Sequence, residues 1–317
     1  PYAFTEDCVP QPELAACAMQ GTGGGRPDRI LVIGGTGRTG VRLVERLCAD
    51  PSCSVVVLAR DPAKAEAVLR EGPAAATRYE VIQGDLLDPQ PWAHQLSSID
   101  QIVTAVSCGT RTDPLVVLGL RPPPANLPHL VDYQGMDQLV KAANEHGVRR
   151  IVAVTTASTG TPWSAAALFL NIVCWCSVKW KFHGEQAIRR SGLDYVIIRP
   201  FGLVDTPPGE DSGKGIECSQ GKTEGTSRRI PREDVARLCQ EALRRPAGSR
   251  LTFECWATSE HRRPMPWGEL RAEPLGGVPD VNHDAAVAAT LAGVAGAIGL
   301  TGVGVARGTQ RLLRWIR

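Results

Sequence analysis

The sequence has very little lysine and no excess of charge of either sign. Only 6 of its 35 basic residues are lysines, and 33 acidic residues reduce the formal net charge to +2. Proteins that bind nucleic acids normally carry a basic face or stripe, which a chain of this balance does not predict. We therefore expect no nucleic-acid partner.

Closely spaced cysteine pairs are also missing. The 317 residues include 10 cysteines but no Cys-x-x-Cys motif, so neither a small disulfide scaffold nor a zinc ribbon is indicated, and we expect no metal. The nearest pair, Cys174 and Cys176, lies in an apolar stretch that favours packing over redox chemistry. A composition of 43% hydrophobic and 21% charged residues indicates a globular protein, and the cysteine usage favours a reducing compartment.

Short apolar runs alternate with amphipathic segments from Arg29 onward. Helices are predicted between the runs, and a later one at 231–244, so the repeat is βαβ and the fold class is α/β with a doubly wound, Rossmann-like parallel sheet. Six runs are predicted to be buried strands: 30–33, 55–58, 79–82, 102–106, 151–155 and 195–198. Four of the predicted helices are 40–49, 62–70, 133–146 and 181–191.

The ends of the chain differ from this domain. Residues 1–28 are predicted to be an extended leader, and the absence of Met at Pro1 suggests a removed targeting peptide. The α/β domain is expected at 29–256 and a linker at 257–284. Residues 285–306 lack any charge and are long enough to cross a bilayer, which predicts a transmembrane helix before a basic tail at 307–317. An interfacial or protein-covered helix and a disordered tail remain alternatives.

A glycine-rich loop follows the first predicted strand and precedes a helix. Such a loop turns tightly, and the free N–H groups of the following helix meet a pyrophosphate, so this setting predicts dinucleotide binding. The alternative is a loop that has kept its shape and lost its ligand. The predicted contacts are Gly34, Gly35, Thr36, Gly37, Arg38, Thr39 and Gly40.

The end of the second strand bears on the choice of dinucleotide. Arg60 stands where NAD-selective sites carry an acid, and a guanidinium there suits a 2′-phosphate, which Arg38 can also approach. NADP(H) is therefore preferred to NAD(H). Asp61 keeps NAD(H) open, and Arg60 as a plain solvated charge is the other interpretation.

These motifs resemble the atypical short-chain dehydrogenase/reductase superfamily, in particular its NmrA-like plant and cyanobacterial NAD(P)-binding branch. The similarity runs from residue 29 to residue 253 and includes the segments 84–86, 105–107, 192–200 and 232–236. It specifies no substrate. The resemblance implies further cofactor contacts at Asp85, Leu86, Ala105, Val106, Ser107, Thr155, Lys181, Pro200, Phe201 and Gly202.

The superfamily's catalytic Tyr-x-x-x-Lys pair is absent, because none of the four tyrosines is followed four residues later by a lysine. The resemblance makes Lys181 the family lysine and puts Ser177 in the place of the tyrosine. A serine hydroxyl is too weak an acid to replace a phenol unaided. The remaining catalytic candidates are Lys181 and Ser158, with His183 as a substitute acid, and each is also explained as an ordinary surface or capping residue.

Two functions follow from an intact cofactor loop without the usual acid. The first is an NADP(H)-binding subunit or assembly factor of an organellar membrane complex, photosynthetic or respiratory, held to that complex and the lipid bilayer by the C-terminal helix. The stromal face of the thylakoid is favoured, with the mitochondrial inner membrane as alternative. The second is an NADPH-dependent reductase or isomerase of a small apolar molecule. A sensor of the NADPH/NADP ratio shares the same site.

Overall fold

The computed structural model describes nine stretches of the chain: 26–70, 78–109, 111–117, 120–122, 124–206, 213–220, 228–261, 265–274 and 282–297. The first strand begins at Asp28, the last residue of the predicted leader, and residues 1–25 lie outside the described part. The predicted basic tail, 307–317, also lies outside it.

An eight-stranded sheet forms the centre of the described domain, in the order β3-β2-β1-β4-β5-β6-β10-β8. All neighbouring strands pair in parallel except β8, which runs antiparallel to β10 at one edge. The predicted doubly wound sheet is confirmed, and each of the six predicted runs forms a strand. The bounds are β1 Asp28–Ile33, β2 Cys53–Ala59, β3 Tyr79–Gln83, β4 Gln101–Thr104, β5 Arg150–Val154, β6 Asp194–Pro200, β7 Gly202–Val204, β8 Lys214–Ser219, β9 Arg229–Pro231 and β10 Arg250–His261. Strands β7 and β9 form a separate two-stranded ladder.

The central strands are apolar along their length because helices cover both faces of the sheet. In β1, Ile30 and Val32 pack into one buried cluster, which also contains residues of α1 and α7. Leu31 and Ile33 point to the opposite cluster, beneath α4 and α6. The helices are α1 Arg38–Cys48, α2 Pro62–Arg70, α3 Pro114–Val117, α4 Gly135–Glu145, α5 Ala165–Val173, α6 Ser177–Arg190, α7 Arg232–Leu243 and α8 His283–Ala297.

Two helical segments begin earlier than the hydrophobic pattern predicts. A π-helical turn, His129–Gln134, precedes α4. Helix α6 starts at Ser177, four residues before the predicted start, because the side chain of Asn171 accepts hydrogen bonds from the amides of Val178 (3.1 Å) and Lys179 (3.3 Å). That amide side chain satisfies N–H groups that the first turn of a helix leaves without intrahelical partners.

The predicted domain boundary at residue 256 falls inside the sheet. Strand β10 continues to His261, and Met265 and Trp267 pack against the core cluster that contains α7. The Glu273 carboxylate accepts hydrogen bonds from Arg189 (2.9 Å) and Tyr195 (2.7 Å). Much of the predicted linker, 257–284, is therefore part of the folded domain.

The start of α8 is docked on the domain rather than separate from it. His283 Nε2 lies 2.9 Å from the Thr159 carbonyl oxygen, and Lys179 Nζ lies 2.7 Å from Asp284 Oδ1. Ala286 and Val287 are buried. The helix begins two residues before the predicted span of 285–306, whose last nine residues lie outside the described part.

The transmembrane prediction at 285–306 is unconfirmed. Within the nine described stretches, no individual helix combines enough length with enough hydropathy to cross a bilayer. Helices α5 and α6 reach the criterion only as a pair, and they are bent by 101° where they meet.

Candidate functional site

The glycine loop brings the start of α1 directly onto the end of β1. Gly34 has a φ of +85°, and its carbonyl oxygen accepts the Gly37 amide at 2.9 Å. A Cβ at Gly40 would lie 2.0 Å from that same oxygen, and a Cβ at Gly34 would lie 2.8 Å from the Ala105 carbonyl oxygen. Side chains at these positions would push the helix, β1 and the end of β4 apart.

The N-terminus of α1 fits a pyrophosphate. The residue that caps it, Gly37, supplies no side-chain acceptor, and its first turn carries no acidic residue. The first amides of a helix have no intrahelical acceptor and carry partial positive charge, which favours a bound phosphate. A NAD(P) pyrophosphate would therefore be held by the backbone of the predicted segment Gly34 to Gly40, including the amides of Thr36 and Thr39.

Arg60 and Asp61 have different roles at the end of β2. Arg60 is exposed and makes no ion pair or hydrogen bond with any other described residue. Asp61 Oδ1 accepts the Lys64 amide at 3.0 Å and so caps α2. The carboxylate that would favour a ribose 2′-hydroxyl is thus committed to a helix, whereas the guanidinium is available.

Arg38 is turned toward another partner. Its NH1 group lies 3.1 Å from Asp205 Oδ2, and Arg42 and Arg232 pair with the other oxygen of that carboxylate at 3.6 and 2.9 Å. The carboxylate thus ties the first turn of α1 to the segment that follows β7. The predicted approach of Arg38 to a 2′-phosphate would require it to leave Asp205.

The predicted contacts at the ends of β3 and β4 lie at the same edge of the sheet. Asp85 Oδ1 accepts the Leu87 amide at 3.0 Å, and the Asp85 carbonyl oxygen accepts Trp92 Nε1 at 2.9 Å. The amide of Ala105 bonds the Ile33 carbonyl oxygen at 2.9 Å. Leu86 is buried, Val106 is half-buried and Ser107 is exposed, so this part of the edge offers backbone, one apolar wall and one free hydroxyl.

The contacts predicted after β6 are engaged within the protein. Pro200, the last residue of β6, is buried, and the Phe201 amide donates to the Cys255 carbonyl oxygen at 3.0 Å. The Phe201 ring meets Trp256 edge to face at 5.7 Å between centroids. Gly202 pairs with Arg229 in the β7–β9 ladder.

Lys181 is held in place by two acceptors. Its Nζ lies 2.7 Å from Asp132 Oδ1 and 3.3 Å from the Val106 carbonyl oxygen. An ammonium group has three donors, so one N–H remains for a ligand hydroxyl. The Lys181 side chain extends from α6 to the segment just after β4, which fits the ribose contact implied by the resemblance.

Asp132, on the π-helical turn, is a site residue that sequence reasoning missed. Burial raises the pKa of its carboxyl, although the Lys181 ammonium opposes the shift. Its second oxygen, Oδ2, has no hydrogen-bond partner among the described residues. A Cβ at Gly184 would lie 2.0 Å from the Asp132 carbonyl oxygen, so this glycine lets α6 approach the turn. A lone aspartate before a predicted helix gives no signal of such a partner.

A small cavity of about 20 Å³, room for one water, lies beside this pair. Its lining includes Thr104, Val106, Asp132, Thr155, Lys181 and Glu185. The predicted cofactor contact Thr155 donates its hydroxyl to Glu185 Oε1 at 2.6 Å, so that hydroxyl already has an acceptor. The contact therefore remains a prediction for a residue with a structural role as well.

Glu185 is a fully buried carboxylate with five donors around it. Besides Thr155, the hydroxyl of Thr159 lies at 2.9 Å, Arg199 donates from Nε at 3.1 Å and from NH2 at 2.5 Å, and Arg189 donates at 3.2 Å. Burial alone would raise the pKa of Glu185, but the two guanidinium groups and these hydrogen bonds lower it to about 2. The cluster fixes α6 against β5 and β6.

The catalytic candidates do not form an acid–base pair of the usual kind. Ser158 lies in a 3-10 turn, Ala157–Gly160, and is half-buried. Ser177 is at the start of α6, where its amide donates to the Cys174 carbonyl oxygen at 3.0 Å. His183 lies beside Asp284, with 3.7 Å between Nε2 and Oδ1. The described residues contain no cluster of three or more metal-ligating side chains.

Comparison with known proteins agrees with the geometry of the loop. A family model described as NAD(P)H-binding matches residues 34–246. The chain is 30% identical over 242 residues to the uncharacterized chloroplastic protein At2g34460 of Arabidopsis thaliana, covering 74% of this chain and 79% of the relative.

Two further relatives carry names with a cellular role. Photosystem II assembly factor Ycf39 of Synechocystis is 31% identical over 73% of this chain and 65% of its own length. Protein TIC 62, chloroplastic, of rice is 27% identical over 56% of this chain, which spans only 35% of that protein.

Solved structures share the fold at low identity. A putative NAD-dependent epimerase/dehydratase from Bacillus halodurans aligns with a TM-score of 0.57 at 23% identity, over 74% of this chain and 96% of its own. A short-chain dehydrogenase/reductase from Veillonella parvula, solved with NADP, aligns with a TM-score of 0.53 at 15% identity over 74% of this chain and 96% of its own.

Proposed function

Because the chain belongs to the NAD(P)H-binding family, in its atypical short-chain dehydrogenase/reductase and NmrA-like branch, we propose that it is an NADP(H)-binding assembly or regulatory subunit of a chloroplast membrane complex. One observation carries the proposal. The phosphate cradle from Gly34 to Gly40 is intact, whereas Ser177 stands where the resemblance puts the family's proton donor, and Lys181, the lysine that the resemblance implies, is paired with Asp132.

NADP(H) is the proposed cofactor. Arg60 has no partner among the described residues, and Asp61, the acid that would favour NAD(H), caps α2. The nicotinamide supplies hydride chemistry when it is bound. In this chain the α1 amides would bind the pyrophosphate, Arg60 the 2′-phosphate, and the remaining N–H of Lys181 a ribose hydroxyl.

The relatives support the proposed chloroplast location, and the relatives together with the C-terminal segment support the proposed membrane complex. Several relatives are chloroplastic or cyanobacterial, and one is named as a photosystem II assembly factor. We propose that residues 285–306 attach the protein to a thylakoid complex and its bilayer, because this segment has no charged residue. Its first residues belong to α8, which packs against α5 and α6. Trp163, beside α5, and Phe169, on α5, are exposed apolar side chains that would suit the same attachment.

A titration of the purified protein with NADPH and with NADH tests the cofactor site. Arg60→Glu should weaken NADPH binding by roughly 10- to 100-fold, since charge-assisted hydrogen bonds contribute about 1.5–3 kcal/mol, and should leave NADH binding nearly unchanged. Arg70→Glu is the matched control, because Arg70 is an exposed arginine at the far end of α2. Equal loss for both nucleotides in Arg60→Glu would contradict the assignment.

The regulatory role is tested with the loaded protein. We expect NADPH to stay reduced over many minutes in the presence of the wild-type chain and a panel of small carbonyl compounds. Removal of residues 298–317 should release the protein from thylakoid-type membranes without changing its NADPH affinity. Rapid NADPH oxidation, or membrane association that survives the truncation, would overturn this proposal.

The second candidate function is reduction or isomerisation of a small apolar molecule. It is favoured by α5, which has no charged residue and exposes Phe169 soon after the 3-10 turn that follows β5. In that case the proton would come from Asp132, whose buried carboxyl has a raised pKa and one oxygen without a partner among the described residues, rather than from Ser158. NADPH consumption that depends on an apolar substrate and is lost in Asp132→Asn would favour this function.

A further inference from the structure

Two cysteines face each other across the antiparallel edge of the sheet. The register of β8 and β10 pairs Cys218 directly with Cys255. Directly opposite residues in an antiparallel ladder point to the same face of the sheet. Both thiols accordingly pack against the same buried cluster, which also contains Cys239 of α7.

The hydrogen bonds of β10 show whether Cys218 and Cys255 form a hydrogen-bonded or a non-hydrogen-bonded pair of the ladder. The Cys255 carbonyl oxygen accepts the Phe201 amide at 3.0 Å, so Cys255 directs its backbone groups toward β6. Thr252, an odd number of residues away, directs its carbonyl oxygen the other way, to the Gln220 side chain at 3.1 Å. Cys218 and Cys255 are therefore a non-hydrogen-bonded pair, in which the Cα atoms are about 4.5 Å apart. That separation is within the range of about 4.4–6.8 Å found in disulfides.

The two thiols differ in access to solvent. Cys255 is completely buried, whereas Cys218 is half-buried on the edge strand. A small oxidant can therefore reach Cys218 first, and Cys255 lies in position to react with the product. Cys239 is completely buried on α7 and has no such access.

We propose that Cys218 and Cys255 are a reversible disulfide site that is oxidised by low-molecular-weight disulfides such as oxidised glutathione. The Cys218 thiolate attacks one sulfur of the oxidant, forms a mixed disulfide and releases one thiolate. The Cys255 thiolate then attacks Cys218 Sγ, forms the protein disulfide and releases the second thiolate. The protein loses two electrons and two protons, and the oxidant becomes two thiols.

The environment of the thiols sets the speed of this reaction. Burial, with Glu269 and Glu217 as further causes, raises the pKa of Cys218 to about 11, and burial also raises the pKa of Cys255 well above its usual range. Because only the thiolate attacks, oxidation is slow at neutral pH and becomes about tenfold faster per pH unit below pH 10. A buried pair of this kind responds to sustained oxidation rather than to brief pulses.

Incubation of the full chain with oxidised glutathione, followed by peptide mapping without reductant, tests the site. We expect a Cys218–Cys255 linked peptide whose rate of formation rises about tenfold from pH 7 to pH 8 and which thioredoxin-type reductants remove. Cys255→Ala should stop at a glutathione adduct on Cys218. Cys174→Ser removes another half-buried thiol and should leave the linkage unchanged.

If a variant fails to fold, the peptide map of the oxidised wild-type protein is sufficient to test the proposal. A glutathione adduct at Cys218 that never resolves, a linkage of Cys218 to another cysteine, or no reaction at either thiol would each overturn the proposal. The readout is independent of nucleotide, so failure here leaves the NADP(H) proposal untouched.

Discussion

The buried carboxylate of Glu185 should make the stability of the domain depend on acid pH. The pKa of this carboxyl falls from its ordinary value of 4.5 to about 2, because Arg199 and Arg189 outweigh the effect of burial. A carboxyl with a lowered folded-state pKa contributes stability that is complete above the unfolded pKa and is lost as the pH falls toward the folded pKa. The difference corresponds to about 3 kcal/mol, lost between about pH 4.5 and pH 2.

The assay is urea denaturation at a series of pH values, for the wild type and for Glu185→Gln. At pH 7 the variant removes the carboxylate that pairs with Arg199 and one of the two that pair with Arg189, and we expect its free energy of unfolding to fall by about 3–5 kcal/mol. With an m value of about 3 kcal/mol per M this is a fall of about 1 to 1.7 M in the urea midpoint. The difference in free energy of unfolding between the wild type and the variant should decrease steadily below pH 4.5.

Glu66→Gln is the matched control, because Glu66 pairs with Arg70 on the exposed face of α2. An exposed pair of this type contributes about 0.5 kcal/mol or less, so its urea midpoint should barely change at any pH. The reasoning would be refuted if the free energies of unfolding of the wild type and of Glu185→Gln differed by the same amount from pH 7 to pH 2.5. That result would mean that the ionisation of Glu185 does not stabilise the cluster.

Two further variants test separate features. Gly40→Ala should abolish nucleotide binding and lower the melting temperature, because its Cβ would lie 2.0 Å from the Gly34 carbonyl oxygen, whereas Gly268→Ala, with no atom within 4 Å of the added Cβ, should do neither in calorimetry. Asp284→Ala removes the 2.7 Å ion pair with Lys179 and should speed amide hydrogen exchange in α8 while the central sheet stays protected; unchanged exchange would show that this pair does not hold the helix.

Continuous apolar runs such as Val55-Val-Val-Leu58 predicted the central strands because both faces of the sheet are covered. Strands β7 to β10 were not predicted; β7 and β9 have only three residues each, too few to show any period. The phosphate loop was predictable because backbone conformation there depends directly on glycine. These elements are local, and the sequence carries local information well.

The interior of the site was less predictable because its pairings are not local. Lys181 and Glu185 are four residues apart on α6, a spacing typical of a surface ion pair. In the structure Lys181 pairs with Asp132, and Glu185 pairs with Arg199 on β6. Which partner each side chain meets depends on the π-helical turn and on the close approach permitted by Gly184, and neither has a distinctive signature in one sequence.

The contact between His283 and Thr159 links the start of α8 to the turn that follows β5. Thr159 donates its hydroxyl to Glu185, beside the cavity that adjoins Lys181, while its carbonyl oxygen meets the first residue of α8. Linkage is reciprocal: if docking of α8 changes the affinity for a nucleotide by some factor, the nucleotide changes the docking equilibrium by the same factor. Such coupling would let occupancy of the nucleotide site and docking of α8 influence each other without direct contact.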